Sequence, residues 1–208
     1  MIVNFISSAA LAEIDEKKMD EILKKPLIVG ASVSADYQTK SPGKTLALRY
    51  TSENDIHVLA RNGKPATDVL RLLKAETLND RTAVIGVDLF FWDSFNASPT
   101  ESVKALENLF TQVKAKEIPL VLGEVPELVP FYQKSVFALN EKMRELCKSY
   151  AMCKILPLNQ ILRKTLSDGF IVQTGKKYSI EALLPDGLHL AKPASEYLAD
   201  QILKLFID

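Results

Sequence analysis

The sequence has little of what would mark it for a membrane, a disulfide scaffold or a polyanionic partner. Its 208 residues include only two cysteines and two histidines, and 26 basic side chains balance 26 acidic ones. No apolar run approaches the roughly 18 residues of a membrane-spanning helix. Zero formal net charge argues against a broad electrostatic surface for nucleic acid or anionic lipid. We therefore expect no nucleic-acid partner and no integral membrane association.

The remaining composition is that of a globular chain. Hydrophobic residues make up 47% of the sequence, which excludes disorder and allows a sizeable core. No repeat, low-complexity tract or Gly/Ser-rich linker divides the chain, so we predict a single domain over residues 1–208. Within it, residues 1–25 are expected to form an N-terminal helix. Residues 170–180 alternate apolar and polar side chains around a central glycine, which predicts a hairpin insertion.

The cysteines and the amino-terminal segment leave the compartment open. Cys147 and Cys153 form no Cys-x-x-Cys pair, so we expect two small buried thiols and no metal site, with one bridge between them as the alternative. The stretch Ala10-Leu11-Ala12 resembles a signal cleavage site, but no basic residue precedes Lys17. We therefore expect a cytoplasmic protein, with export as the alternative.

Five short apolar runs alternate with helical patterns along the chain. Because polar residues do not alternate within the runs, they are typical of strands buried on both faces of a sheet. The strands are predicted at 27–30, 56–60, 83–87, 119–123 and 154–158, and the helices at 45–51, 66–74, 102–116, 134–150 and 193–206. This alternation predicts an α/β fold, a three-layer α/β/α sandwich around a five-stranded parallel sheet.

Candidate site residues follow the predicted strands, because ligands bind at the carboxyl ends of the strands in such sheets. Ser32 follows the first strand, Gly63 the second and Asp88 the third, whereas Asp186 and His189 precede the last helix. Serine becomes a nucleophile when a histidine accepts its proton, and an acid fixes the tautomer of that histidine. The short spacing lets Asp186 and His189 face the same side, so these residues predict a Ser–His–Asp arrangement.

Four sequence blocks resemble the SGNH/GDSL hydrolases, esterases and lipases of flavodoxin-like fold. Gly30-Ala31-Ser32-Val33-Ser34 resembles the nucleophile block, Asn62-Gly63 the glycine-donor block, Gly86-Val87-Asp88 the Gly-x-Asn block, and Asp186-x-x-His189 the acid–base block. The resemblance implies Ser32 as nucleophile, His189 as base and Asp186 as its acid. It also implies an oxyanion hole formed by Ser32, Gly63 and position 88. An ester would be the small-molecule substrate, and neither cofactor nor metal would be needed.

Asp88 departs from this pattern, because the family has asparagine at that position. An ionised carboxylate only accepts hydrogen bonds and would repel a developing oxyanion. A missing oxyanion donor typically costs about 10²–10³ in rate. Three interpretations stay open: Asp88 is protonated and donates, Asn62 supplies the donor instead, or the domain is a catalytically weak or inactive binding module. The last is the alternative to an esterase.

Neighbouring residues have structural interpretations beside functional ones. Ser34 is the second candidate nucleophile, but it is more simply expected to cap the following turn or helix. His57 lies inside an apolar run and is expected to be a strand residue without a catalytic role. Phe90, Phe91 and Trp92 are expected either to line an acyl or aryl pocket or to pack in the core.

Overall fold

A computed structural model describes residues 16–96, 98–127 and 133–207 of the chain. Its main sheet has five parallel strands in the order β2-β1-β3-β4-β5. The strands are β1 Pro26–Gly30, β2 His57–Ala60, β3 Ala83–Gly86, β4 Leu120–Gly123 and β5 Cys153–Leu156. The predicted five-stranded parallel sheet is confirmed, with strand ends that differ by one or two residues.

Helices cover both faces of the sheet. Residues 16–22 form α1, and residues 1–15 of the expected N-terminal helix lie outside the described residues. The other helices are α2 Pro42–Ala47, α3 Ala66–Leu70, α4 Asp93–Asn96, α5 Pro99–Ala115, α6 Gln133–Lys148, α7 Leu158–Asp168, α8 Ile180–Leu183 and α9 Lys192–Ile207. Helix α7 is missing from the sequence-based prediction, which extends the fifth strand over its first residue. No helix within the described ranges is long and apolar enough to cross a bilayer.

Successive strand residues point to opposite faces of the sheet and so contribute to two cores. Leu27 and Val29 pack with α3, α5 and α6 on one face, whereas Ile28 packs with α1, α2 and α9 on the other. Every residue of β1, β3 and β4 is buried. This burial on both faces explains the uninterrupted apolar runs in the sequence. The fold is therefore a three-layer α/β/α sandwich.

The strand order places the first and third strands side by side at the topological switch point. Chain order reverses between β1 and β3, which is where doubly wound sheets bind their ligands. Ile28 pairs with Ile85 across the two strands, and both strands end in glycine. The chain after β1, residues 31–41, is called the β1 loop below. Ser32 in this loop and Asp88 after β3 consequently emerge at the same edge of the sheet.

Residues 170–179, where the sequence predicts an insertion, form an antiparallel hairpin outside the main sheet. Its strands are β6 Phe170–Gln173 and β7 Lys176–Ser179. Both residues of the intervening 174–175 turn have positive φ, as a two-residue type I′ turn requires. The hairpin packs beside α8 and α9 through a small third core of Ile171, Leu183 and Ala194.

The two cysteines form a disulfide, which corrects the expectation of free thiols. Cys147 lies near the end of α6 and Cys153 begins β5, with their Cα atoms 5.1 Å apart. This separation is within the usual range for a disulfide. The bridge arises because the chain reverses between α6 and β5, and the sequence spacing of the cysteines does not reveal that reversal.

Asp93, the first residue of α4, joins three helices through its buried carboxylate. It is only 2% exposed and accepts hydrogen bonds from the Ala66 N–H at 2.7 Å and the Ser102 hydroxyl at 2.8 Å. Burial raises the pKa of Asp93 to about 6, against the opposing effect of hydrogen bonds from Ala66, Ser102 and Thr67. The folded chain therefore holds this carboxyl in a setting that disfavours its charge.

Asp93→Asn is expected to remove a pH dependence of stability. The pKa of Asp93 is about 6 in the fold and 3.8 in an ordinary setting, so the folded state binds the extra proton between these values. Wild-type stability should therefore fall by about 2 kcal/mol as pH rises from about 4 to 7. An asparagine still accepts from Ala66 and can donate to Ser102. Denaturant unfolding of both proteins across this range measures the difference, and parallel curves would contradict it.

Candidate active site

Ser32, His189 and Asp186 meet at the carboxyl edge of the sheet. The Ser32 Oγ lies 3.0 Å from the His189 Nε2, and the Nδ1 of the same ring lies 2.7 Å from the Asp186 Oδ2. Ser32 and His189 are 157 residues apart in the sequence, so the fold alone makes this contact. Both distances are in the hydrogen-bonding range. The arrangement can withdraw a proton from the serine as it attacks an electrophile.

Asp186 also shapes the turn that presents His189. Its Oδ1 accepts the backbone N–H groups of Leu188 and His189 at 3.0 and 2.7 Å. Hydrogen bonds hold the pKa of Asp186 well below its ordinary value. The bond from the His189 N–H has the largest effect, followed by those from the His189 imidazole and the Leu188 N–H. Asp186 is therefore an ionised acceptor at neutral pH. This favours the tautomer in which Nδ1 carries the proton and Nε2 is free to accept from Ser32.

Asp88 lies against the β1 loop, beside the candidate nucleophile. Its Oδ1 accepts from the Ala31 N–H at 3.1 Å and the Ser34 hydroxyl at 2.5 Å, and its Oδ2 accepts from the Val33 N–H at 2.8 Å. Burial raises the pKa of Asp88, whereas the hydrogen bonds from Ser34, Val33 and Ala31 oppose that rise. All the described hydrogen bonds of this carboxyl group are to the β1 loop. These contacts brace the loop that carries Ser32.

Among residues 31–37 of the β1 loop, this bracing leaves one backbone donor without a described acceptor. The N–H groups of residues 31, 33 and 34 all point to Asp88, but no described residue accepts the N–H of Ser32. The N–H of Gly63 also lacks an acceptor within the described part of the chain, in an exposed turn where its φ is 65°. That turn follows β2, the immediate neighbour of β1. Asn62 is exposed there and makes no described hydrogen bond.

Gly30 and Ser34 allow Asp88 to approach the β1 loop closely. A Cβ on Gly30 would overlap both the Asp88 carboxylate and the Ser34 hydroxyl, so this position needs glycine. Ser34 is 1% exposed, and its Oγ also lies 3.2 Å from the Val29 carbonyl oxygen. The Ser34 hydroxyl thus contacts Asp88 and β1, and His189 contacts Ser32 instead.

Two residues that the sequence analysis overlooks also contact this cluster. The Tyr37 ring lies against the His189 ring with centroids 4.3 Å apart, and the Gln38 Nε2 donates to the Asp186 Oδ2 at 2.9 Å. Gln38 and Asp186 are 148 residues apart, and no motif joins them. The only signal in the sequence is that Tyr37 and Gln38 closely follow the candidate nucleophile Ser32.

An apolar cavity of about 250 Å³ begins beside the cluster. Val33 and Leu188, the chain neighbours of Ser32 and His189, both line it. Asp88 is the one ionisable side chain among its described lining residues. A second cavity of about 480 Å³ extends toward the hairpin, and Glu181 is the one carboxylate in its described lining. The two cavities share the lining residues Ile161, Leu162, Leu184, Gly187, Leu190 and Leu198.

The other candidates divide between core, cavity and surface. Phe90 is buried in the core, Phe91 lines the first cavity, and Trp92 packs against Phe91 with ring centroids 5.1 Å apart. His57 is exposed on the edge strand β2. Over the described ranges, no group of His, Cys, Asp and Glu side chains is arranged to hold a metal ion.

Comparison with known proteins finds similarity in structure but not in sequence. No family model matches the chain. No curated protein matches it by sequence. Among solved structures, the esterase EstA from Pseudoalteromonas sp. is 20% identical with a TM-score of 0.58, over 88% of this chain and 96% of EstA. A member of the lipolytic protein G-D-S-L family from Veillonella parvula is 12% identical with a TM-score of 0.62, over 87% and 97%.

A third solved structure, that of TesA, is 17% identical with a TM-score of 0.59, over 86% of this chain and 96% of TesA. At these identities the likeness concerns the fold, and it extends over nearly the whole of each neighbour. The flavodoxin-like architecture implied by the four sequence blocks is thereby confirmed. The chain has the fold of the SGNH/GDSL hydrolases.

Proposed function

We propose that the protein is a serine hydrolase that cleaves a carboxylic ester through an acyl-serine intermediate. The observation that carries this proposal is the continuous contact from the Ser32 Oγ through the imidazole of His189 to the Asp186 carboxylate, at 3.0 and 2.7 Å. A serine that only caps a turn has no need of a histidine oriented by an ionised acid.

In the proposed reaction, His189 Nε2 takes the hydroxyl proton as the Ser32 Oγ bonds to the ester carbonyl carbon. The tetrahedral intermediate collapses, its C–O bond to the alcohol breaks, and His189 returns the proton to the leaving oxygen. A water then attacks the acyl-serine while His189 accepts its proton, and the acid leaves as the Ser32 hydroxyl is restored. Asp186 holds the imidazole and stabilises its charge throughout.

Backbone donors are proposed to stabilise the oxyanion. The N–H of Ser32 has no described acceptor, unlike those of residues 31 and 33–37, and that of Gly63 has none in the turn after the neighbouring strand. Backbone donors held in place before the reaction stabilise a developing charge without reorganising. This removes the need for Asp88 to donate, so the acid at position 88 no longer argues for an inactive binding module.

The apolar cavities favour an ester with a hydrocarbon chain. The first cavity begins at the chain neighbours of Ser32 and His189, and the second is continuous with it through α7 and the turn before α9. A charged or sugar-like group would lose its hydration in such a lining without regaining hydrogen bonds. We therefore place the acyl chain along these cavities and the alcohol toward solvent.

Turnover of p-nitrophenyl esters of increasing acyl length tests both the activity and this placement. We expect kcat/KM to rise by about fourfold for each added methylene until the first cavity is filled, since burying one methylene contributes about 0.8 kcal/mol. Leu162→Trp, which fills the shared part of the cavities, should shift the preferred chain to a shorter length.

Leu72→Trp is the matched control, because Leu72 is 38% exposed and lies outside both cavities. It should leave the length preference unchanged. A flat profile across acyl lengths would contradict the placement of the chain, whereas no turnover of any ester would contradict the proposed activity itself.

A further inference from the structure

The β1 loop contains two residues in a backbone conformation that they rarely adopt. Asp36 has a φ of 58° and Gln38 a φ of 66°, both in the left-handed region that favours glycine. The other two non-glycine residues of this kind in the described structure are Glu117, just past the end of α5, and Thr174, in the hairpin turn. Such strain persists only where surrounding contacts enforce it, and it often accompanies a functional constraint.

Contacts at both ends hold the strained segment in place. The Asp36 carboxylate accepts the Ser41 N–H and binds the Lys44 ammonium, each at 2.8 Å. Lys44 forms a second ion pair with Glu53, and the hydrogen bond to Asp36 is the largest cause of its raised pKa. At the other end, the Tyr37 N–H donates to the carbonyl oxygen of Ser32 at 3.0 Å. The segment is therefore anchored to α2 and to the nucleophile's own backbone.

The strained conformation turns two side chains onto the acid–base pair. The Gln38 amide donates to the Asp186 Oδ2, the same oxygen that contacts the His189 Nδ1. Tyr37 covers the imidazole with its ring at 4.3 Å. Asp186 is 39% exposed, so without these neighbours its carboxylate and the ring would face solvent on this side. The described groups against the imidazole are the Asp186 carboxylate on its own turn, and the Ser32 hydroxyl and the Tyr37 ring on the β1 loop.

We propose that Gln38 and Tyr37 are positioning residues. They fix the Asp186–His189 pair relative to Ser32, which lies in the same loop as Gln38 and Tyr37. Gln38 fixes the rotation of the carboxylate through the oxygen that holds the imidazole, and Tyr37 fixes the plane of the ring. Because the β1 loop carries the nucleophile and both positioning groups, the same segment sets the positions of the base and the nucleophile. The inference rests on the proposed function and adds to it two residues outside the four family-like blocks.

Gln38→Ala and Gln38→Gly together separate positioning from stability. Both remove the amide, but glycine also relieves the strained φ, so Gln38→Gly should melt about 2–4 °C higher than Gln38→Ala. Both should lose about 10-fold in kcat with KM nearly unchanged, because a misplaced base impairs the reaction more than substrate binding. Gln112→Ala on α5, far from the site, makes the same change of side chain and should lose nothing.

Tyr37→Phe should keep most of the activity, because the ring remains, whereas Tyr37→Ala should lose about 10-fold. Wild-type kcat in both Gln38 variants, with Ser32→Ala inactive, would overturn the positioning role and leave the proposed function intact. The positioning role would also be overturned if Gln38→Gly recovered activity as well as stability relative to Gln38→Ala. The amide would then contribute only to the fold. Wild-type turnover in Ser32→Ala would overturn both proposals.

Discussion

Ser32→Ala is expected to lower ester turnover by about 10⁴-fold or more while the protein stays folded. The reason is that no other described side chain presents a nucleophilic atom to His189, whose Nε2 contacts the Ser32 Oγ at 3.0 Å. Loss of a triad nucleophile typically leaves only the small rate due to substrate binding and the oxyanion hole. Initial rates with an activated ester, at equal concentrations of folded protein, measure the effect.

Ser34→Ala is the matched control for that experiment. Ser34 is two residues away in the same loop, is equally small, and gives its hydroxyl to Asp88 and Val29. Its loss should loosen the β1 loop and reduce turnover much less than the loss of Ser32. Equal rates in Ser32→Ala and wild type, with an inactive Ser34→Ala, would contradict the assignment of the nucleophile. Melting curves should show that Ser32→Ala is at least as stable as Ser34→Ala.

Asp88→Asn is expected to lower both activity and stability, although it restores the residue that the family carries. An asparagine offers one oxygen and one NH₂ group, so either the Ala31 or the Val33 N–H would face a donor instead of an acceptor. An unpaired buried donor costs about 1–3 kcal/mol. Because these bonds set the direction of the Ser32 N–H, we expect a loss of about 10²-fold in kcat/KM.

Unfolding curves and steady-state kinetics of Asp88→Asn decide between the two roles of this position. Higher activity in the variant would show that Asp88 occupies an oxyanion site and impairs it. A decrease in both quantities supports the brace. Asp55→Asn serves as the control and should leave kcat/KM unchanged. Asp55 lies just before the amino-terminal end of β2, and its described hydrogen bonds are to Ser52 and Arg81.

The fold was predictable largely because its central strands are buried on both faces. Runs such as Leu27–Val29 and Val84–Ile85 contain no polar residue, and this pattern alone suffices to place strands. Helix α7 carries apolar residues at 158, 161 and 162, which is helical spacing, but they directly follow an apolar strand. A short apolar run next to such a strand does not reveal where the strand ends.

The site was predictable as far as short spacings and the four family-like blocks reach, and these include Ser32. Asp186 and His189 are three residues apart, so their contact follows from local geometry. Gln38 reaches Asp186 across 148 residues, and only the tertiary fold shows that. The hydrogen bonds between Asp88 and the β1 loop were not predictable, because a family position defines where a residue lies, not which way its donors and acceptors point. The disulfide of Cys147 depends similarly on a chain reversal that its spacing does not encode.

The most direct test of the account is to identify the residue that a fluorophosphonate modifies, by mass spectrometry of the intact protein and of its peptides. We expect one adduct per chain, on Ser32, absent from Ser32→Ala and formed much more slowly in His189→Ala, because the imidazole activates this hydroxyl. An adduct on another residue, such as Ser34, would contradict the assignment. No adduct in the folded wild-type protein would contradict the serine hydrolase and favour a binding module with the same fold.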